Sequence, residues 1–260
     1  MNVLEIDNFV KDKNKFFAVT AFSNLETSMV TTDKENYLIM YSGFGNPTWI
    51  WTKDNMRDEE YENVVKVLCE FIKDDSHRFT SKKEFYDYLV RTNSKYFCST
   101  DKYLLGFLQA YKLVKPKPVN GIFRRATLDD LDTLIEYFYL LMEEEGKVVK
   151  DIEAVKVRMI NSINEGSTYV WEDSNGKIVS QAEYKLIGNS AKIAGVFTPA
   201  VERRKGYCSN TIYELTKYLL EQGYEVFLFT DYNYVNSNEC YKKIGYQDEG
   251  YLVNYNLKLR

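Results

Sequence analysis

The sequence predicts an α/β (α+β) protein with a mixed, mostly antiparallel central sheet flanked by helices, and a smaller α+β domain at the N-terminus. Three observations lead to this prediction. Apolar residues recur at helical spacing in several segments, short segments rich in β-branched and aromatic residues lie between them, and a proline-rich stretch separates two such groups. The 45% hydrophobic content of the 260 residues is typical of a packed core.

Residues 1–115 are predicted to form the N-terminal α+β domain. Two strands joined by a GFGN turn are predicted at NYLIMYSG and NPTWIWTK, and two helices are predicted at YENVVKVLCEFIKD and SKKEFYDYLVRT. Either a strand and a helix or two strands are predicted at KYFCSTDKYLLGFLQAYKLV. The region is interpreted either as a degenerate repeat of the pattern downstream or as an unrelated cap.

A linker is predicted at residues 116–120, and a second domain at residues 121–260. The stretch LVKPKPVNG, which surrounds the linker, contains two of the four prolines. Because proline has a fixed φ and no N–H donor, this stretch cannot continue a helix or lie in a central strand.

The second domain is predicted to have the element order ααβββαβαβ. Its first helix has Thr127 as N-cap, Asp130 as a capping-box partner and Gly146 at its end, and its second helix covers residues 151–164. An antiparallel meander is predicted at STYVWED, KIVSQAEYKLIG and SAKIAGVFT, because SNGK and GNS turn signals separate these segments.

The remaining elements of the second domain follow the sequence VERRKGYCSN. A helix is predicted from Ser209 to Glu221, a buried strand at YEVFLFTD, a short helix at SNECYKKIG, and a strand or hairpin at YQDEGYLVNYNLKL.

Three adjacent cations, Arg203, Arg204 and Lys205, stand directly before Gly206 at the start of the predicted helix. They repel each other and the positive end of the helix dipole, so an anion is expected to compensate them. Unpaired backbone N–H groups at a helix N-terminus bind phosphate oxygens, and glycine permits a close approach of the backbone. The alternative is a solvated turn with surface cations.

Two motifs in the segment IAGVFTPAVERRKGYCSN…SNECYKKIGY resemble the GNAT superfamily of N-acetyltransferases. The family's loop pattern (Arg/Gln)-x-x-Gly-x-(Gly/Ala) is matched by Arg203 and Gly206, whereas Cys208 replaces the last small residue. Its second pattern, Asn-x-x-Tyr-x-x-x-Gly-(Phe/Tyr), is matched at the positions Asn238, Tyr241, Gly245 and Tyr246. The resemblance covers about residues 121–260 and implies a GNAT-like fold there; residues 1–115 are then either a degenerate GNAT-like repeat or unrelated.

The resemblance implies acetyl-CoA as co-substrate. In the family, the loop and helix start hold the diphosphate of coenzyme A, while a strand end that diverges from the next strand binds the pantetheine. The residues implied to bind the coenzyme are Val196, Phe197, Thr198, Arg203, Arg204, Lys205, Gly206, Tyr207, Cys208, Ser209, Asn238 and Tyr241.

Direct attack by a neutral amine on the thioester, within a ternary complex, needs an acid for the departing thiolate. Tyr241 is the predicted acid, and a packing role is the alternative for one of 22 tyrosines. By family analogy Glu183 is the candidate base; a solvated strand face or proton relay through water are the alternatives. Because Cys208 and Cys240 have no histidine partner, an acyl-cysteine route is not expected.

The sequence therefore predicts an N-acetyltransferase that acts on a primary amine of an unidentified small molecule or peptide. The alternative is a non-catalytic acyl-CoA-binding regulatory module, which the Cys208 departure and the undeclared base motivate. A third hypothesis is a binding scaffold that uses no coenzyme.

Composition excludes several other classes. The net charge of −4 argues against a nucleic-acid binder, and no apolar run approaches the ~20 residues of a membrane span. The N-terminus lacks the pattern of a signal peptide, so a cytoplasmic monomer or homodimer without nucleic-acid or membrane partners is expected. The four cysteines are widely spaced and His77 is the single histidine, so neither a disulfide framework nor a metal site is predicted. His77 is expected at the surface.

Overall fold

A computed structural model of the chain describes residues 2–43, 46–71, 77–92 and 97–259. The chain forms two units. Unit 1 comprises Met1–Phe107, Asp231–Asn233 and Glu249–Arg260, and unit 2 comprises Leu108–Thr230 and Tyr234–Asp248. The end of the chain therefore belongs to the same unit as its beginning, and the predicted linker 116–120 lies inside unit 2.

Unit 1 has short helices first and a strand-rich part after them. Following a 3-10 helix at Val3–Glu5, its elements are α1 (Asp7–Val10), α2 (Phe17–Phe22), β1 (Met29–Thr32), β2 (Tyr37–Tyr41), β3 (Thr48–Thr52), α3 (Asp58–Phe71), β4 (His77–Lys82), α4 (Lys83–Arg91) and β5 (Phe97–Ala110), whose last three residues belong to unit 2.

The strand order in unit 1 is β1-β2-β3-β4-β11-β5, where β11 (Tyr246–Leu259) is the last strand of the chain. The first three strands pair antiparallel, β3 and β4 pair parallel across the α3 connection, and β11 pairs antiparallel with β4. One core cluster includes Leu68, Phe79 and Phe85, and another includes Phe9 and Trp51; all five side chains are fully buried. These clusters stabilise the unit by removing large apolar surfaces from water.

Unit 2 continues with nine elements before β11. They are β6 (Ile122–Arg125), α5 (Leu131–Glu144), α6 (Ile152–Asn164), β7 (Thr168–Glu172), β8 (Ile178–Ile187), β9 (Ser190–Phe197), α7 (Tyr207–Glu221), β10 (Glu225–Asp231) and α8 (Val235–Lys243), with 3-10 turns at Leu128–Asp130 and Ala200–Glu202.

The strand order in unit 2 is β10-β9-β8-β7-β6, and all pairs are antiparallel except β9 with β10. The predicted capping box is present, because the Thr127 and Asp130 side chains and backbones bond reciprocally before α5. Asp151 caps α6 through Ala154 N. The fold class predicted from the sequence, a mixed and mostly antiparallel sheet flanked by helices, is confirmed.

Two segments with open predictions are single strands. The only element in the described part of KYFCSTDKYLLGFLQAYKLV is β5. Its central residues are buried on both faces, and periodicity cannot distinguish the resulting apolar run from a helix, which is why the sequence left two alternatives. YQDEGYLVNYNLKL is the one strand β11, which continues through Gly250 at φ +85°. The GFGN turn and the His77 side chain lie outside the described residues. Within the described residues, no helix has the length and apolar character needed to cross a membrane.

Candidate active site

A bulge bends β9 near its end. Gln181 on β8 pairs with Phe197, whereas Glu183 pairs with Ala194, so β9 carries an extra residue between these pairs. Gly195 lies there at φ +58°, and a Cβ at this position would lie 2.8 Å from Glu183 Cγ. Both the left-handed backbone and the close Glu183 side chain therefore require glycine.

Strands β9 and β10 diverge beyond the middle of β9. Among the described residues, their parallel ladder runs from the Glu225↔Ser190 pair to the Leu228↔Ile193 pair, although β9 continues to Phe197 and β10 to Asp231. The ends of both strands therefore border an opening. A crevice at the carboxyl ends of neighbouring parallel strands is a common place for ligands in α/β proteins.

The chain leaves β9 and enters α7 through a turn with two left-handed residues. Arg204 has φ +62° and Gly206 has φ +94°. A Cβ on Gly206 would lie 2.9 Å from Val119 Cγ1, so the segment that follows the prolines packs directly on this turn.

Further bonds fix that segment to the first turn of α7. Asn210 Nδ2 donates to Lys117 O at 2.9 Å and also to Gly206 O, and the Tyr207 hydroxyl donates to Asn120 Oδ1 at 2.8 Å. The predicted linker is thus part of the support of the loop.

Six successive backbone N–H groups, those of residues 204–209, lie at the entry to α7. Gly206 is the N-cap of α7 and provides no capping side chain, and no described residue accepts a hydrogen bond from any of these six amides. The first amide within the helix to be bonded is that of Asn210, to Gly206 O at 3.1 Å. Unpaired amides at the positive end of a helix dipole form an anion site.

The three cations of the loop have different surroundings. Arg203 Nη2 lies 2.5 and 2.7 Å from the two carboxylate oxygens of Glu144, and Arg203 Nε donates to Thr198 O at 2.9 Å. Lys205 pairs with Glu202 at 2.9 Å. Within the described chain, the Arg204 guanidinium has no ion pair or hydrogen bond, so it is the cation available to an external anion.

Tyr241 and Asn238 are both buried in α8. Burial raises the pKa of Tyr241 well above its ordinary value, and the neighbouring thiols Cys208 and Cys240 add to the shift. The phenol is therefore neutral at physiological pH. No side chain of the described residues forms a hydrogen bond with the Tyr241 hydroxyl. Tyr246, three residues beyond α8, is also buried, but its hydroxyl lies 2.7 Å from Thr216 Oγ1.

A cavity of about 170 Å³ lies beside the bulge of β9. Its apolar lining includes Phe138 and Leu141 of α5 and Met159 of α6, and Gly195 and Glu183 also line it. The cavity also has an acidic residue near one side, Glu145. It can hold a small organic group next to the strand end.

Glu183 is held by a cation from α6. Arg158 Nη1 lies 2.9 Å from Glu183 Oε1 and 3.0 Å from Oε2, and the Arg158 guanidinium stacks 5.0 Å from the centre of the Phe138 ring. Gln181, two residues before Glu183, donates through Nε2 to Gly195 O at 3.3 Å. Among the described side chains, none donates to the buried Gln181 Oε1 atom.

The structure thus brings the predicted loop, the β9 end, Tyr241 and Asn238 into one unit, with Glu183 in the adjoining cavity. Sequence reasoning missed Arg158, Glu144 and the Gly195 bulge. An isolated glycine inside a strand pattern is a signal for a bulge, whereas no local signal links Glu144 to Arg203. In the described parts of the chain, no cluster of three or more metal-ligating side chains occurs.

Residues 125–246 match the sequence profile of the acetyltransferase (GNAT) family. This part of the chain is a GNAT acetyltransferase domain. The protein is accordingly an acyltransferase, and acetyl-CoA is the acyl donor used by the family. A comparison with curated proteins found no match.

Solved structures share the fold over nearly the whole chain, beyond the GNAT domain. A GNAT-family acetyltransferase from Colwellia psychrerythraea has a TM-score of 0.62 at 11% identity and covers 97% of both chains. A GCN5-related N-acetyltransferase from Kribbella flavida has a TM-score of 0.58 at 12% identity and covers 98% of this chain and 99% of its own. A third, from Sphaerobacter thermophilus, has a TM-score of 0.58 at 11% identity, with 94% and 85% covered.

Proposed function

We propose that the GNAT domain transfers an acetyl group from acetyl-CoA to a primary amine of a small molecule or a peptide, by direct attack within a ternary complex. The observation that carries this proposal is the row of six unpaired amides at residues 204–209, next to the divergence of β9 and β10. The amides suit the diphosphate of coenzyme A, and the divergence of the two strands suits the extended pantetheine that follows it.

The amides of the loop are proposed to bind the diphosphate, with Arg204 as the main external cation. Arg203 is engaged by Glu144 and Thr198, so its role is to hold the loop against α5 and the end of β9, unless the coenzyme displaces Glu144. Lys205, paired with Glu202, contributes charge at longer range. Gly206 and the residues Tyr207, Cys208 and Ser209 contribute backbone N–H groups.

The pantetheine is proposed to follow the exposed side of β9 beyond Ile193. Val196 and Phe197 offer backbone groups there, whereas the Thr198 carbonyl already accepts a hydrogen bond from Arg203. Asn238, in α8 on the other side of the opening, is the proposed side-chain partner of the pantetheine amides.

Tyr241 is the proposed acid. A tyrosine phenol is protonated at neutral pH and can donate its proton to the thiolate of coenzyme A as the thioester bond breaks. The raised pKa makes the buried Tyr241 a weaker acid than a phenol in water, so the proton moves only as charge develops on the sulfur. Since no described residue binds its hydroxyl, the proton is not tied to a protein acceptor before the reaction.

The acceptor is proposed to enter the cavity beside the bulge. Its amine would approach the thioester past Glu183, and the apolar walls from α5 and α6 would contact the rest of the molecule. Both Glu183 oxygens accept from Arg158, but each keeps a further lone pair, so either Glu183 or a water between Glu183 and the amine is the proposed acceptor of the amine proton. The buried Gln181 Oε1 atom is an acceptor available to an amine or to a bridging water.

Calorimetry with acetyl-CoA tests the donor site. The Arg204→Ala variant is expected to bind acetyl-CoA about tenfold more weakly, as expected for the loss of one charge-assisted phosphate contact. Lys217→Ala, on the exposed side of α7, is the matched control and should leave the affinity unchanged. Absence of acetyl-CoA binding by the unaltered protein would falsify the proposal, and thiol release measured with a panel of primary amines then tests the transfer itself.

A further inference from the structure

The thiols of Cys208 and Cys240 face each other in unit 2. Their sulfur atoms are 4.0 Å apart, both residues are half-buried, and neither forms a disulfide. Cys208 is the second residue of α7 and Cys240 lies in the second half of α8. The proposed acetyl transfer gives no chemical role to either thiol.

This pair links the two helices that come after the diverging strands. Helix α7 follows the end of β9 and helix α8 follows the end of β10, so the two thiols belong to elements that continue from different strands. The Cys208 amide is one of the six unpaired amides, and Cys240 directly precedes Tyr241. A covalent bond between the two sulfurs would join the proposed diphosphate site to the element that carries the proposed acid.

The two thiols differ in their ionisation. The hydrogen bond between the two thiols lowers the pKa of Cys240, and the nearby Lys243 acts in the same direction. The same contact and burial raise the pKa of Cys208. Cys240 is thus the thiol that forms a thiolate first, and thiolates rather than thiols react with oxidants. Cys69 in unit 1 differs, because burial raises the pKa of its thiol and it packs against an apolar cluster.

We propose that Cys208 and Cys240 are an oxidation site at which a peroxide forms a reversible intramolecular disulfide. The Cys240 thiolate attacks one peroxide oxygen, the O–O bond breaks, and sulfenic acid and hydroxide form. Cys208 then loses its proton and attacks the Cys240 sulfur, the S–O bond breaks, and the second hydroxide leaves as the S–S bond forms. Overall, two thiols and one hydrogen peroxide give one disulfide and two waters, so the sulfurs lose the two electrons that the peroxide gains.

The disulfide is expected to close the donor site. The sulfur atoms must approach from 4.0 Å to about 2.05 Å, and we expect this approach to draw the first turn of α7 and α8 together. This shift moves the amides of residues 207–209 and the Tyr241 hydroxyl relative to each other. Oxidation would therefore reduce acetyl-CoA binding. This consequence rests on the proposed function, whereas formation of the disulfide does not.

Mapping of the oxidised protein tests the bond itself. The native chain is treated with hydrogen peroxide, its remaining thiols are alkylated, and its peptides are analysed by mass spectrometry. A peptide pair linked through Cys208 and Cys240 is expected, it should disappear after reduction with dithiothreitol, and it should be absent in Cys240→Ser. The Cys69→Ser chain is the matched control and should form the link as the native chain does. Links that involve only Cys69 or Cys98, or oxidation of Cys240 without a link, would overturn the proposal.

Acetyl-CoA affinity tests the consequence. The oxidised native chain is expected to bind acetyl-CoA at least about tenfold more weakly than the reduced chain, and dithiothreitol should restore the affinity. Oxidised and reduced Cys240→Ser should bind equally, and acetyl-CoA present during oxidation should slow the formation of the link. A mapped disulfide with unchanged affinity would overturn the closing of the site. If the reduced chain itself binds no acetyl-CoA, the proposed function fails, while the mapping still decides whether the bond forms.

Discussion

Units 1 and 2 have the same order of elements over most of their length, but they differ at the carboxyl ends of their parallel strands. In each unit two helices precede three antiparallel strands, which a helix, a parallel strand and a further helix follow. We propose on this basis that unit 1 is a degenerate repeat of the GNAT domain.

The strand ends of unit 1 are filled by side chains. The β3 and β4 pairing reaches Ile50↔Ser81, two residues before the end of β3 and one before the end of β4, whereas the β9 and β10 pairing stops four residues before the end of β9 and three before the end of β10. Directly beyond Ser81, the buried Lys82 ammonium lies 2.6 Å from Asp12 and 2.7 Å from Asp54, and 5.5 Å from the centre of the Trp51 ring. Unit 1 therefore carries an internal ion-pair cluster where unit 2 has its opening.

The helices that follow the first of these strands also differ. The first turn of α3 carries Asp58, Glu59 and Glu60, and Glu60 Oε2 accepts from Arg57 N at 2.8 Å. The first turn of α7 has no acidic residue and no side-chain cap. An anion is attracted to the second helix start and repelled from the first. One topology therefore carries either a ligand site or an internal ion-pair cluster, depending on a few residues after the strands.

The largest expected effect is on the stability of unit 1. Lys82→Met leaves the Asp12 carboxylate, 14% exposed, without its buried cation, and we expect a loss of about 3 kcal/mol in the free energy of unfolding. Urea unfolding followed by circular dichroism measures it. Lys11→Met is the matched control, because Lys11 pairs with the same cluster from the surface and should cost less than about 1 kcal/mol. Equal effects of the two variants would mean that the cluster is not a buried structural site.

The second-largest expected effect is on acetyl-CoA affinity, and it compares the start of α7 with the start of α3. Gly206→Asp places a side chain at φ +94° against Val119 and adds a negative charge beside the unpaired amides. Acetyl-CoA binding should weaken about 100-fold, which corresponds to about 2.7 kcal/mol. Asn55→Asp makes the matched change at φ +59° before α3 and should leave the affinity unchanged. Calorimetry distinguishes them; an equal loss in both variants would show that net charge, not the loop, controls binding.

Turnover is expected to depend on Tyr241 more than affinity does. Tyr241→Phe removes the proposed proton donor, so kcat should fall about 100-fold while the acetyl-CoA Kd stays within about twofold. Tyr246→Phe is the matched control: it loses the bond with Thr216 and about 1 kcal/mol of stability, but it should keep kcat. Steady-state kinetics of thiol release measures the kcat of both variants. The same kcat in both would mean that Tyr241 is not the acid.

Much of unit 2 could be predicted from local patterns. The capping box of Thr127 and the helical spacing after residues 127 and 151 locate α5 and α6, and the loop before α7 is marked by a glycine with adjacent cations. The helix itself begins at Tyr207 rather than at Ser209, because Gly206 in the left-handed region is its N-cap.

Contacts between distant residues could not be predicted in this way. Glu144 binds Arg203, and Arg158 binds Glu183, only because α5 and α6 pack beside the sheet; no spacing in the sequence encodes either pair. The pairing of the last strand with β4 of unit 1 is equally invisible to local periodicity. Motif and cap chemistry are local, whereas the partners of the site's charges are set by tertiary packing.

The smallest expected effect is the acid sensitivity of unit 1. Hydrogen bonds from Lys11 and then Lys82 lower the pKa of Asp54 to about 2. A carboxyl with a lowered pKa stabilises the folded state above its ordinary pKa of 3.8, and this stabilisation is lost as the pH falls from that value through about 2. Because the Asp54 side chain is 51% exposed, we expect only about 1 kcal/mol. Urea unfolding of the native chain and of Asp54→Asn between pH 5 and about pH 2 measures the contribution of the Asp54 carboxylate to the free energy of unfolding. The two stability curves should converge towards the acid end, and a constant difference between them would mean that Asp54 acts through packing, not through its charge.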